Sequence, residues 1–356
     1  MSEGTPKTPV IGKVQAGVGL DVGTAFIVGA RQVNDKVELR SIRDAYFAMP
    51  RNKIMEKLLT KSSLKDNDEE NKHGGAGFLE LQDKIIVIGE KALAYASCTH
   101  GEMCRPMNKG VLSPDENAEK ILSVIIEKVI GKPKVPNEIC RFSVPAEPFD
   151  EDIDIIFHEG MIMAILKDLG YEPKCLNEGE AVCYSELASD GLSGGAFSMG
   201  GGQSNGCVIF EGRPVISFSI ARGGDWIDQM SYKHARMKSA AEMTQFKETH
   251  EIDILNPKGR EEMALATYYR HHVKYMISAV SDLLEKEGAK VPAFLKPVKW
   301  VISGGTSLAK NCIPMIRQEF EQNPLPFKIS EIVHAAEPLM ATAKGCLVAA
   351  LLDHAG

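Results

Sequence analysis

Residues Gly194–Asp228 read GGAFSMGGGQSNGCVIFEGRPVISFSIARGGDWID. The pattern predicts a strand over Ala196–Met199, a glycine turn at Gly200, Gly201 and Gly202, and a second strand over Gly206–Phe210. A tight turn at Glu211, Gly212 and Arg213 then leads into a third strand over Pro214–Ala221, and a further glycine pair opens a helix. Three successive glycines let backbone N–H groups converge on one concavity without interference from Cβ atoms, which suits a phosphate. Glycines serve ordinary hairpin turns equally well, so this stretch alone does not separate the two readings.

The chain carries the same design a second time. Val18-Gly19-Leu20-Asp21-Val22-Gly23-Thr24 is an apolar strand running into a glycine turn, followed by strands over Phe26–Gln32 and Val37–Ile42 about a turn at Asn34-Asp35. The offset from Asp21 to Ser198 is close to half the chain of 356 residues. Two related halves, each offering a phosphate hairpin to a shared cleft, follow as the expected architecture.

Composition narrows the class. A length of 356 residues suits two domains, and 44% apolar with 25% charged residues describes a globular chain. A net charge of −7 argues against a nucleic-acid surface. No apolar run reaches the roughly 20 residues needed to span a bilayer, and the polar start MSEGTPKTPVIGKVQ has no signal-peptide core. A cytoplasmic protein without direct membrane contact is expected. The eight scattered cysteines contain no CxxC pair and read as reduced thiols. His271 and His272 lack partners at metal-ligand spacing and read as a solvated or partly packed helix face.

Taken in order, residues 1–16 form a lead-in without periodicity, and the lysine-rich run after Tyr46 reads as a surface loop in a small inserted subdomain of about residues 46–89. Ser113 is expected to cap a helix starting at Pro114. Glu138–Val144 reads as a buried strand, and a helix over Asp150–Leu169 is expected to turn Ile153, Ile156, Met161, Ile165 and Leu166 inward. A short strand over Lys174–Asn177 opens into a helix near Glu178. Residues 231–296 form a second, helical insert with Leu265, Tyr268, Val273, Met276, Val280 and Leu284 on its apolar face. A strand over Lys299–Ser303, a strand near Lys328–Val333 and a helix over Glu337–Leu352 close the chain. The first half is placed at residues 1–150, the second at 151–334, and residues 335–356 return to the first half.

Five segments in this order resemble the bacterial actins, the MreB, MamK and ParM group of the superfamily that joins actin, sugar kinases and heat-shock chaperone ATPases. They are LDVGT at Leu20–Thr24, CRPMNKGVL at Cys104–Leu112, FSVPAEPF at Phe142–Phe149, SMGGGQSN at Ser198–Asn205, and the pair ISGGTSLAKN and HAAEPLMATAKGCLVAA near the end. The resemblance covers most of residues 17–350 and implies an α/β actin-like ATPase fold. Two ribonuclease H-like halves, each with a smaller inserted subdomain, would flank a nucleotide cleft.

The resemblance also implies a site that binds ATP or ADP with Mg²⁺. Gly23, Thr24 and Ala25 of the first hairpin, with Gly200, Gly201, Gly202, Gln203 and Asn205 of the second, would hold the phosphates. Asp21 would hold Mg²⁺ through water. Glu178 would orient the attacking water, with Glu180 as the competing choice. Lys247 and Glu248 resemble the lysine and glutamate that meet adenine and ribose, Gly304, Gly305 and Thr306 would line the base, and Gly224, Asp225 and Leu308 complete the nucleotide-binding set. One departure stands out: the family usually has aspartate where this chain has Ser198, so hydrolysis is expected to be slow, with Asp225 partly substituting.

The implied function is a cytoskeletal filament built from copies of the chain, with a protein cargo or adaptor as a further partner and no nucleic acid. The alternatives are a chaperone-like or regulatory ATPase that acts on a protein partner without polymerising, and a small-molecule kinase. The pocket motifs do not separate these three, since one fold hosts many activities.

Overall fold

The computed structural model describes residues 16–34, 36–50, 77–81, 84–99, 103–288 and 291–353. The expected loop within the first insert falls mostly in residues 51–76, outside the described residues. The chain begins with β1 (Gly17–Val22), β2 (Phe26–Val33), β3 (Lys36–Arg43), β4 (Tyr46–Pro50), β5 (Phe78–Leu81) and β6 (Lys84–Ile88). It continues through α1 (Glu90–Thr99), β7 (Met107–Asn108), β8 (Val111–Leu112), α2 (Ala118–Ile130), β9 (Ile139–Val144), α3 (Ile155–Asp168) and β10 (Glu172–Asn177). Next come α4 (Glu178–Glu186), β11 (Gly194–Met199), β12 (Ser204–Phe210), β13 (Arg213–Ile220), α5 (Gly224–Ala235), α6 (Ala240–Thr249) and α7 (Gly259–Lys286). The remaining elements are β14 (Val298–Ser303), α8 (Cys312–Gln322), β15 (Ile329–His334) and α9 (Ala341–Leu352).

The internal repeat read from the glycine turns is realised in strand order. One five-stranded sheet runs β10-β9-β1-β2-β3 and the other β15-β14-β11-β12-β13. In each, the strand before the glycine turn pairs antiparallel with the hairpin strand and parallel with a strand reached by a crossover. Alternation along these central strands builds the layers. Val18, Leu20 and Val22 pack with Ile121, Ile125 and Ile162 from α2 and α3 on one face. The other face of the first sheet presents Val28 and Ala30 to Ala343 and Leu347 of α9. In the second sheet Ala196 meets Val182 and Cys183 of α4, while Phe197 and Met199 join the largest core with α5, α7 and α8. Helices α4 and α9 therefore lie between the two sheets.

Contact between these two helices is set by Gly345. A Cβ there would sit 1.7 Å from the Ala181 carbonyl oxygen, so only glycine permits this backbone approach. The first insert contains the antiparallel sheet β4-β6-β5. No helix of the described residues is long and apolar enough to cross a membrane.

Five expectations need correction. Strand β10 pairs in parallel with β9 from Glu172↔Ile139 to Asn177↔Val144, so the first sheet extends well past the boundary expected at residue 150. Helix α2 starts at Ala118 rather than Pro114, because Ser113 Oγ and Asp115 Oδ1 accept from the amides of Asp115 and Asn117 and build turns instead. Helix α3 starts at Ile155, capped by Asp154 Oδ1 accepting from Phe157 N. The buried face of this helix is His158, Ile162, Ile165 and Leu166, which leaves Ile156 on the outer side, 86% exposed. Along α7, Leu265, Val273, Met276, Val280 and Leu284 are buried as expected, but Tyr269 rather than Tyr268 enters the core. His272 is also fully buried, bonded through Nε2 to Ser204 Oγ at 3.0 Å, whereas His271 is exposed.

Candidate functional site: the cleft between the glycine hairpins

The two glycine turns, Gly23 to Ala25 after β1 and Gly200 to Gln203 after β11, face one cleft of about 740 Å³. Gly202 sits where the turns nearly touch: a Cβ on it would lie 2.5 Å from Thr24 Oγ1 and 2.7 Å from Gly110 N. The second turn is held against the start of α5, whose Gly224 and Asp225 amides donate to the carbonyls of Gly200 and Gly201 at 3.0 and 2.8 Å. Thr306 Oγ1 also donates to Gly200 O, at 2.8 Å.

Asp21 and Glu178 both line the floor of the cleft. Ser143 Oγ donates to Asp21 Oδ1 at 2.8 Å and accepts from Val22 N. Asn205 Nδ2 donates to Glu178 Oε2 at 2.8 Å, while Asn205 Oδ1 accepts from Ala146 N. The end of β9 and the turn that follows it thus brace both carboxyls, through Ser143 on one side and Ala146 on the other. Glu178 opens α4, and Asn177 Oδ1 caps that helix by accepting from Gly179 N at 3.0 Å.

Both acids are reachable from the cleft but surrounded by protein elsewhere. Lost hydration is the main cause that raises the pKa of each, and the charge of Asp21 raises Glu178 further. The hydrogen bonds from Ser143 and Asn205 act in the opposite sense and are outweighed. A carboxyl poised in this way can exchange a proton near neutral pH.

Of the remaining candidates, Gly23, Thr24, Ala25, Gly200, Gly201, Gly202, Gln203, Gly224, Asp225, Lys247, Glu248, Gly304, Gly305, Thr306 and Leu308 all line the cleft. Asn205 does not; it stands behind Glu178 and orients it. Glu180 faces away, accepting from Tyr184 OH at 2.8 Å. Ser198 lines the cleft in register with Asn205 and Ser303 on the neighbouring strands. Lys247 is anchored by buried Asp228, with Nζ 2.8 Å from a carboxylate oxygen, and Thr244 Oγ1 donates to the same carboxylate. Burial raises the Asp228 pKa and Lys247 opposes the shift.

Sequence reasoning missed Asp228, and it missed the role of the segment Cys104–Leu112 as a strap between the hairpins. Cys104 exchanges backbone bonds with Tyr46, and Met107 N donates to buried Asp44 Oδ2 at 2.8 Å. Gly110 N donates to Thr24 Oγ1 at 2.9 Å, and Leu112 N to His158 Nδ1 at 3.2 Å. Burial lowers the His158 pKa to about 4, which keeps Nδ1 free to accept. From the other half, Gln203 Nε2 donates to Lys109 O at 2.6 Å, and Asp225 Oδ2 accepts from Arg105 Nη1 at 2.8 Å. Arg43, also in the cleft lining, lies between Glu90 (2.7 Å) and Glu248 (3.1 Å) and so ties the two halves a second time.

The fold is shared with solved structures. A MamK double helical filament superposes with a TM-score of 0.67 at 14% identity, covering 95% of this chain and 99% of that one. MreB 5 of Spiroplasma citri bound to AMPPNP gives 0.61 at 16% identity, covering 94% and 95%. The ethanolamine utilization protein EutJ from Carboxydothermus hydrogenoformans gives 0.51 at 14%, covering 96% and 91%. Comparison with curated protein sequences finds no match. These likenesses give an actin-like ATPase fold. A family model described as Volactin matches residues 17–350, nearly the whole chain, which therefore belongs to the Volactin family.

Proposed function

We propose that the chain is an actin-like protein that binds ATP with Mg²⁺ in the cleft, assembles head to tail into filaments and hydrolyses the nucleotide slowly. The observation that carries the reading is the meeting of two equivalent glycine hairpins over a pair of acids, Asp21 and Glu178. The cleft suits the ligand. Its volume lies in the range of about 300–1,000 Å³ usual for small-molecule sites. Around Gly202 a Cβ would fill the narrow gap between the turns.

The hairpin backbones would hold the phosphates, Lys247 and Glu248 the nucleoside, and Asp21 the metal through water. Bound magnesium would neutralise phosphate charge. Glu178, braced by Asn205, would position or deprotonate the attacking water. MamK is seen as a double helical filament and MreB 5 with AMPPNP. Those two findings support self-assembly and nucleotide binding here. A head-to-tail contact is heterologous and extends into a filament when its rotation does not close.

Electron microscopy of the purified protein with Mg-ATP or AMPPNP, against a nucleotide-free control, tests the proposal. Filaments that appear only with nucleotide are expected. Persistent monomers that bind nucleotide would instead favour an ATPase acting on a protein partner.

Slow hydrolysis is tied to Ser198, a neutral hydroxyl in the strand leading to Gly200. Ser198→Asp adds a second acidic ligand beside the metal position and is expected to raise phosphate release roughly tenfold. A wild-type rate equal to that of the variant in a phosphate-release assay would remove Ser198 from the explanation.

A further inference from the structure

Four described cations line the cleft, Arg43, Arg105, Lys247 and Lys310, and each faces a carboxylate. Arg43 is held by two acids, and Lys247 is fixed by an Asp228 that is almost wholly buried. Lys310 pairs with exposed Glu251 beside the stretch that follows Gly304 and Gly305. Arg105 differs from all three in position, and its tie is looser than those of Arg43 and Lys247. Among the described residues its one ion-pair partner is the partly exposed Asp225. That carboxylate stands against the phosphate turn, since Asp225 N donates to Gly201 O and Asp225 Oδ1 lies 3.9 Å from the Cβ position of Gly201. Ala25 of the first hairpin is 3.5 Å from the same Cβ position. The Arg105 guanidinium is thus one carboxylate away from the point where both hairpins converge.

We propose that Arg105 reads the terminal phosphate of the bound nucleotide. With a triphosphate in the cleft the guanidinium exchanges Asp225 for γ-phosphoryl oxygens, and with a diphosphate it stays on Asp225. A planar guanidinium matches a phosphate fork better than it matches a partly solvated carboxylate, which gives the exchange its direction. The strap that carries Arg105 is pinned to Thr24, Asp44 and His158 in the first half. Its tie to the second half would then differ between the two nucleotide states. This inference rests on the proposed nucleotide site and assigns that site a phosphate sensor from the strap.

Calorimetric titration of AMPPNP and of ADP, each with Mg²⁺, into wild type, Arg105→Gln and Arg105→Lys separates the two ideas. For Arg105→Gln, AMPPNP affinity is expected to fall about 10- to 100-fold while ADP affinity changes by less than about threefold, as for loss of one charge-assisted contact. Arg105→Lys, which keeps the charge but not the fork, is expected to recover part of the AMPPNP preference. Amide hydrogen exchange of wild type supplies a readout independent of variant folding. Residues 104–112 are expected to be more protected with AMPPNP than with ADP. Equal loss of both nucleotides in Arg105→Gln, no loss of either, or equal protection in the two states would overturn the assignment. Binding of neither nucleotide by wild type would instead overturn the proposed nucleotide site itself, and the sensor with it.

Discussion

Glu178→Gln is expected to lower ATP hydrolysis by about 10²- to 10⁴-fold, the usual contribution of a positioned acid or base, with nucleotide affinity largely retained. The amide keeps an oxygen able to accept from Asn205 Nδ2, so the geometry at the start of α4 survives while the titrating group is lost. The same change has a second effect that needs no nucleotide. Burial and the charge of Asp21 raise the Glu178 pKa from 4.5 to about 8, so the folded protein holds this proton more tightly than the unfolded chain. A group raised in this way contributes stability below its unfolded pKa, and the contribution is lost as pH rises through the folded value.

Wild type without ligand is therefore expected to lose stability between about pH 4.5 and 8. Glu178→Gln escapes this loss and becomes relatively more stable above that window, by an amount on the order of a few kcal/mol, since each pKa unit corresponds to about 1.4 kcal/mol. Denaturant unfolding at pH 5 and pH 9 checks the sign. A stability difference between the two proteins that does not change with pH would show that Glu178 is not the burdened acid. A hydrolysis rate equal to wild type would remove it from the catalytic role.

Gly345→Ala is expected to cost at least about 3 kcal/mol, at the upper end for overpacking, because the added methyl meets backbone rather than a movable side chain. The Ala181 carbonyl carbon and oxygen stand 2.4 and 1.7 Å from its position, so α4 and α9 must part and the layer between the sheets opens. Gly160→Ala in α3 is the matched control. Nothing lies within 4 Å of its Cβ position, and alanine in a helix interior is favoured by about 0.5–1 kcal/mol. The two substitutions should move the denaturation midpoint in opposite directions. A Gly345→Ala protein as stable as wild type would mean that the helices can separate without cost.

The sequence made the hairpins legible because glycine runs and strand alternation are local signals. The cleft lining followed from them, since fifteen of the binding candidates sit on those turns or on the segments that resemble the family. Long-range facts were not legible. Nothing in Glu172–Asn177 says which sheet a short strand will join, and only the crossover through α3 delivers it to β9. The adjacent His271 and His272 look alike in sequence, yet neighbouring residues on a helix point about 100° apart. One therefore reaches Ser204 in the core while the other stays in water. The bond between Arg105 and Asp225 joins residues 120 positions apart and has no local signature. Asn205 shares the motif of its neighbours, but its strand places the side chain behind Glu178 instead of in the cleft.

The packing of α9 on β1 bears on how the chain folds. The Cβ position of Gly17 lies 3.2 Å from the Ala350 methyl, and that of Gly19 lies 2.1 Å from the Ala343 carbonyl oxygen, so the two ends of the described chain cover each other. The strand that begins the first sheet stays uncovered on this face until the helix that follows the second sheet has docked. Contacts of such high sequence separation carry the loop-closure entropy of nearly the whole chain and slow the rate-limiting step. Refolding should accordingly be slow, and the intermediates that accumulate should expose the apolar face of β2 where α9 has yet to arrive.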